Sequence, residues 1–188
     1  DGQCKISFGL SQGPTDLALQ RAAKSRLRAG DQVAVIGSRG PVYEALCLEC
    51  GARPTTIRRM PVDNRTSDVK TLGFAEWEKA TQPFDAAVAV CVVEQAGLGM
   101  HGEPLDPDGD LAIMRQLKRS VKQGGTLFLV LPTGTDSTVF NSTRTYGPMR
   151  LPLLLDGWSE IDRHRHTDPL FHGEGDDRSM FVLENRAA

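Results

Sequence analysis

Glu94 directly follows an apolar run, Asp85–Val93 (DAAVAVCVV), so its carboxyl group is expected at the end of a buried strand. A partly desolvated carboxyl has a raised pKa and suits removal of a proton from an acceptor hydroxyl or amine. The competing reading is a carboxylate that caps a neighbouring backbone turn. His101, in the glycine-rich stretch that follows, is either a base or substrate contact or a solvated loop histidine.

Asn141, Arg144, Tyr146 and Arg150 form a second polar group. Two guanidinium groups beside a tyrosine can hold a carboxylate or phosphate on an acceptor; alternatively both arginines bridge to the acidic loop before them. Asp106, Asp108 and Asp110 surround Gly109 like the opening of a calcium loop, but Leu117 occupies the position where such a loop needs Glu. Turn formation by Asp106 and Asp108 and helix capping by Asp110 account for them better. His164, His166, Asp168 and His172 match no compact metal motif, and no metal is expected. Cys47 and Cys50 lie inside an expected helix with no second pair to complete a zinc site, which favours packing. With Cys4 and Cys91 they are too few for a disulfide scaffold.

These groups need a scaffold, and Gln32–Ala52 is the stretch around which it is organised. Val33–Ile36 has the length and branching of a strand buried on both faces. The chain then turns through Gly37, Ser38, Arg39, Gly40 and Pro41 into a helix whose apolar face carries Val42, Ala45, Leu46 and Cys50 and which stops at Gly51. A strand, glycine turn and helix leave backbone N–H groups facing outward, the geometry of a nucleotide-type cofactor site. The turn has two glycines where a dinucleotide fingerprint has three, which disfavours a nicotinamide dehydrogenase and leaves a ligand-free turn as the alternative.

The remaining elements alternate. Residues 1–14 are an irregular arm, followed by a helix capped by Thr15 or Asp16 and ended by Gly30. Strands are expected at PTTIRRM, with Arg58 and Arg59 at its end, then at Val69–Leu72, Asp85–Val93 and Thr126–Leu131. Helices are expected over Phe74–Ala80, from Asp110 to the Gly124-Gly125 pair, and briefly at Leu151–Leu155. Trp158–His166 and Ser179–Glu184 close the chain as an antiparallel hairpin joined by a charged, mobile linker, Thr167–Arg178. Alternating strands and helices make this an α/β chain with a mainly parallel sheet, a single domain over its 188 residues.

Composition is ordinary, at 39% hydrophobic and 24% charged residues with a formal net charge of −2. No nucleic-acid partner is expected from that balance; any polyanion contact must use a local patch. No apolar run is long enough to cross a membrane. The chain opens at Asp1, the expectation for a processed or excised piece, and two sequons, Asn64-Arg65-Thr66 and Asn141-Ser142-Thr143, leave either the cytoplasm or the lumen of the secretory pathway open.

A glycine turn after the first strand, then VKQGGTLFLVLP, then a terminal hairpin resembles the class I S-adenosylmethionine-dependent methyltransferase fold, three-layered and Rossmann-like. Val93–Gly99, Gly102–Asp110, Phe140-Asn141, Arg144–Pro148 and Arg150–Pro152 are similar to the family called domain of unknown function 268, over about residues 30 to 160. The methyltransferase resemblance implies S-adenosylmethionine at Gly37, Ser38, Arg39 and Gly40; Arg58, Asp63 and Cys91 are further candidate cofactor contacts, and Glu94 and His101, read from their own surroundings, are the candidate catalytic groups. Asn141, Arg144, Tyr146 and Arg150 are the candidate contacts to an acceptor of unknown identity. An acidic residue usually ends the second strand and holds the ribose hydroxyls; here Arg58 and Arg59 stand there, which admits a substitute from Asp63, a preference for an anionic ligand, or a non-catalytic binding module for a glycan or protein.

Overall fold

The computed structural model describes residues 13–37, 40–59, 69–100, 102–167 and 177–186. In chain order the elements are α1 (Pro14–Arg26), β1 (Gln32–Ile36), α2 (Val42–Glu49), β2 (Arg53–Arg58), β3 (Lys70–Gly73), α3 (Phe74–Lys79), β4 (Phe84–Val90), α4 (Gly109–Ser120), β5 (Val121–Thr133), β6 (Ser137–Val139), β7 (Thr143–Thr145), α5 (Leu151–Leu154), β8 (Trp158–Thr167) and β9 (Asp177–Asn185). Seven strands form one sheet in the order β3-β2-β1-β4-β5-β9-β8, and β6 and β7 form a separate small hairpin. The first five strands of the sheet run parallel, while β9 is antiparallel to both β5 and β8.

Period-two alternation divides the core. Val33, Val35, Ala86, Val88, Val90, Phe128 and Val130 face α1 and α2, packing on Leu19, Ala23, Leu46 and Cys47. Ala34, Ile36, Ile57, Ala87, Ala89, Leu127, Leu129 and Leu131 face the other way, onto Trp77, Met114, Leu117 and Leu154. Both faces are covered, so the central strands read as continuous apolar runs rather than as alternating ones.

Several boundaries differ from expectation for local reasons. Helix α1 begins at Pro14 with Gly13 in the cap position, because proline's fixed φ and missing N–H suit the first turn; neither Thr15 nor Asp16 caps it. It ends at Leu27 rather than Gly30. Helix α4 begins at Gly109, and the Asp110 side chain is turned to other partners. Strand β5 starts at Val121, ahead of the two glycines, with a register shift against β4 between Phe84 and Ala86. Cys47 is buried and Cys50 half-buried; burial pushes the Cys47 thiol up to about 12, as fits packing rather than redox chemistry. Residues 1–12 of the expected arm, Asp63, His101 and most of the linker lie outside the described residues, as do Ser38 and Arg39 of the glycine turn; Pro14, expected in the arm, opens α1.

Candidate functional site

The sheet order reverses between β1 and β4: the chain progresses outward through β2 and β3 on one side and through β5 on the other. Ligands of open α/β sheets bind in the crevice beyond the carboxyl ends at such a point. Here those ends are Ile36-Gly37 on β1 and Val90-Cys91 on β4. Gly37 has φ +80°, and a Cβ there would lie 2.4 Å from the Val90 carbonyl oxygen and 2.8 Å from the Val92 Cβ. The turn therefore requires glycine to pass its own neighbour strand. Gly40 differs, for a Cβ there would meet no atom of the described residues within 4 Å, so their packing does not explain its glycine.

Cys91 is one of two non-glycine residues with positive φ among those described, at +53°. Such a conformation costs energy and concentrates at functional crevices. Arg178 donates from Nη2 to the Cys91 Sγ at 3.6 Å, and its charge also acts on Glu94. Glu94 is only 2% exposed, and its Oε2 has no hydrogen-bond partner among the described residues. Burial pushes its carboxyl up to about 7, although its own backbone amide, the charge of Arg178, the Cys91 side chain and the Val92 amide all favour the ionised form. Glu94, Cys91 and Arg178 thus form one group beside the β1 turn. Arg178 could not be found in the sequence, where it reads as the end of a charged linker; in the structure it sits in β9, paired across from Pro132.

At the end of β2, Arg58 is half-buried and pairs in register with Gly73. Arg59 stacks on the Phe74 ring, 5.0 Å from its centroid, and makes a loose ion pair with Glu103 at 4.0 Å. Glu103 comes from the loop after β4, and its side chain is 13% exposed. A carboxylate therefore stands near the end of the second strand after all, supplied by a distant loop.

That loop is folded on itself. Asp106 N–H donates to the Gly97 carbonyl at 2.9 Å, and Gly97, at φ +74°, approaches the Asp106 carbonyl so closely that a Cβ would lie 2.2 Å from it. Arg144 fastens both limbs, donating from Nη1 to the Ala96 carbonyl at 2.6 Å and from Nη2 to the Asp106 and Pro107 carbonyls at 3.2 Å each. Its backbone N–H also reaches the Glu94 carbonyl at 3.0 Å.

Three of the four residues of the second polar group come together, and they do so on Asp110. Arg150 Nη2 donates to Oδ1 at 2.6 Å and Nε to Oδ2 at 2.8 Å, Tyr146 O–H donates to Oδ2 at 3.1 Å, and Arg144 Nε lies 3.8 Å from Oδ2. Burial pushes the Asp110 carboxyl up, but Arg150 and Arg144 outweigh it and hold it below its ordinary value. The carboxylate that meets this guanidinium pair is thus the chain's own. Asp110 does not cap α4; its one backbone bond is from the Leu111 N–H at 2.8 Å. Asp106 does form the expected turn, accepting from the Asp108 N–H at 2.9 Å. Asn141 stands apart, exposed at the tip of the β6–β7 hairpin with φ +54°. Asp136 went unnoticed in the sequence; its carboxylate accepts from the Gly147, Met149 and Arg150 N–H groups at 2.8, 2.9 and 3.1 Å and so fixes the segment carrying Arg150. Among the described residues no cluster of three or more His, Cys, Asp or Glu can hold a metal ion, and no helix is long and apolar enough to cross a membrane.

Solved structures share this architecture. The 1,6-didemethyltoxoflavin-N1-methyltransferase of Burkholderia thailandensis, bound to 1,6-didemethyltoxoflavin and S-adenosylhomocysteine, is 16% identical with a TM-score of 0.66, over 92% of this chain and 80% of its own. The N-methyltransferase NodS of Bradyrhizobium japonicum WM9, bound to S-adenosylhomocysteine, is 14% identical with a TM-score of 0.65, over 96% and 92%. The [4+2]-cyclase SpnF is 13% identical with a TM-score of 0.64, over 91% and 81%. At these identities the likeness establishes the fold, which is the Rossmann-like fold of class I S-adenosylmethionine-dependent methyltransferases. No curated protein matches the sequence. The family model described as "Caenorhabditis protein of unknown function, DUF268" matches residues 30–171, and the chain belongs to that family.

Proposed function

We propose that the chain is an S-adenosylmethionine-dependent methyltransferase whose crevice lies between the carboxyl ends of β1 and β4. The observation that carries this reading is the Glu94 Oε2, buried at that crevice without a hydrogen-bond partner among the described residues. An unsatisfied buried carboxyl oxygen costs stability, so its retention calls for a role. The residues present fit the cofactor. Gly37 provides the tight turn, Gly40 leaves open space beside it, and Glu103, near the end of β2, offers a carboxylate suited to the ribose hydroxyls. When bound, the cofactor supplies an electrophilic methyl group on a sulfonium. Glu94 then serves as the base, taking a proton from an acceptor hydroxyl or amine at Oε2; a carboxyl titrating near 7 is matched to that work at neutral pH. Cys91 and the charge of Arg178 both favour the ionised form of that carboxyl.

Thermal unfolding tests the reading. Saturating S-adenosylhomocysteine is expected to raise the unfolding midpoint by several degrees, the effect of about 2 to 3 kcal/mol of ligand stabilisation on a domain of this size. An unchanged midpoint at millimolar ligand counts against it.

A second reading has its own observation. Arg58 and Arg59 occupy the end of β2, where a carboxylate is usual in this fold, and this favours a non-catalytic module that recognises a glycan or protein partner through the loop from Gly97 to Asp110. Arg58→Glu separates the two: a degenerate site gains affinity for S-adenosylhomocysteine, whereas a purpose-built anion site loses its ligand.

A further inference from the structure

At the opposite end of the sheet, where α4 ends and β5 begins, lies a groove of about 460 Å³ lined by Arg115, Lys118, Arg119, Val121, Gln123, Asn185 and Arg186. Four of the seven are cations and none is an acid. Among the described residues none of the four makes an ion pair, in contrast to Lys24, Lys122, Arg144, Arg150, Arg163 and Arg165, each of which faces a carboxylate.

The polar contacts of three of these cations, Lys118, Arg119 and Arg186, go to neutral acceptors. Lys118 Nζ donates to the Gly157 carbonyl at 2.5 Å and the Arg186 carbonyl at 3.4 Å, Arg119 donates to the Gln116 side chain, and Arg186 donates to the Ser159 hydroxyl. These bonds orient the cations without cancelling their charge. The carboxyl end of α4 contributes about half a negative charge. That accounts for a basic last turn, and it leaves most of a fourfold positive charge unmatched. Arg115 and Arg119 stand one turn apart on α4, both exposed, so their forks can close on one anion from the same side.

We propose that this groove binds a phosphate-bearing ligand with at least two phosphate charges, at a site separate from the crevice beside Gly37. Guanidinium forks match phosphate oxygens in pairs, and four uncompensated cations exceed what a single carboxylate would balance. The site does not depend on the methyltransferase reading, because it uses none of the residues assigned to the crevice.

The test is a calorimetric titration with inorganic pyrophosphate at low salt. Saturable binding is expected, weakened about tenfold or more by Arg115→Glu with Arg119→Glu and by rising salt. The paired lysine substitutions, which keep both charges, should retain most of the affinity. Arg163→Glu, which changes net charge by the same amount per residue at a paired cation, should leave binding intact. Vesicles containing phosphatidic acid identify the source of the phosphate: retention that the double Glu variant abolishes points to a lipid headgroup, and no retention alongside pyrophosphate binding points to a soluble ligand. No pyrophosphate binding, or equal binding by the double Glu variant, overturns the proposal.

Discussion

Arg150 grips Asp110 with two nitrogens, Nη2 on Oδ1 at 2.6 Å and Nε on Oδ2 at 2.8 Å, in the fork geometry that makes guanidinium–carboxylate pairs strong. Asp110 is fully buried and also holds Tyr146 and Arg144, so it is the tie between α4, β7 and the segment entering α5. Asp110→Asn leaves two guanidinium groups without their counter-charge and is expected to cost about 3 to 5 kcal/mol. Denaturant unfolding checks this. The folded carboxyl titrates below its ordinary value, so its contribution is complete above that value and is lost as pH falls through the folded pKa. The variant should therefore lack part of the wild type's acid sensitivity.

Glu94 gives the opposite pH dependence. Its folded pKa is about 7 against an ordinary 4.5, so between those values the folded state binds the extra proton. Stability from this group is full below about 4.5 and declines as pH rises toward 7, by at most about 1.4 kcal/mol per pH unit. Glu94→Gln removes the titration. The stability difference between variant and wild type should shift in the variant's favour from pH 5 to pH 8, and a constant difference across that range contradicts the buried, protonated carboxyl.

Gly37 and Gly40 separate backbone strain from ligand fit. Gly37→Ala places a Cβ against the Val90 carbonyl at positive φ and should cost about 2 kcal/mol or more. Gly40→Ala has open space and should leave stability within about 1 kcal/mol of wild type or improve it slightly. The same Gly40 variant should bind S-adenosylhomocysteine about tenfold more weakly. Melting curves and titrations on both variants check the pair of outcomes.

Arg144→Lys keeps the charge and loses the fork. The three carbonyls of Ala96, Asp106 and Pro107 then share a single ammonium on a shorter reach, and about 2 to 3 kcal/mol of stability should go with them. Because those carbonyls close the loop carrying Glu103, proteolysis within residues 97–109 should accelerate in the variant. Unchanged proteolysis would show that the loop is held by other contacts.

The fold was largely legible because burial on both faces leaves a local mark. Val33–Ile36 and Ala86–Val90 are uninterrupted apolar runs, and the glycine at 37 announces a turn that no other residue makes comfortably. Glu94 was legible for the same reason, since a carboxylate at the end of such a run must be desolvated. The rest depended on contacts between distant segments. Arg144, Tyr146 and Arg150 were recognisable as a group, but only the packing of α4 beside them shows that they close on Asp110, 34 to 40 residues earlier in the chain. Glu103 reaches Arg59 from a glycine-rich loop whose path no periodicity encodes, and Arg178 joins Glu94 and Cys91 only because β9 lies antiparallel against β5.

On the proposed function, the crevice beside Gly37 accepts an adenosine-containing cofactor with Glu103 near its ribose. Calorimetric titration of the purified protein with S-adenosylhomocysteine tests it most directly. Saturable heat is expected in the micromolar range, weakened about tenfold by Glu103→Gln and untouched by Arg115→Glu. Absence of saturable heat up to about 1 mM, or equal affinity in the Glu103 variant, would contradict it.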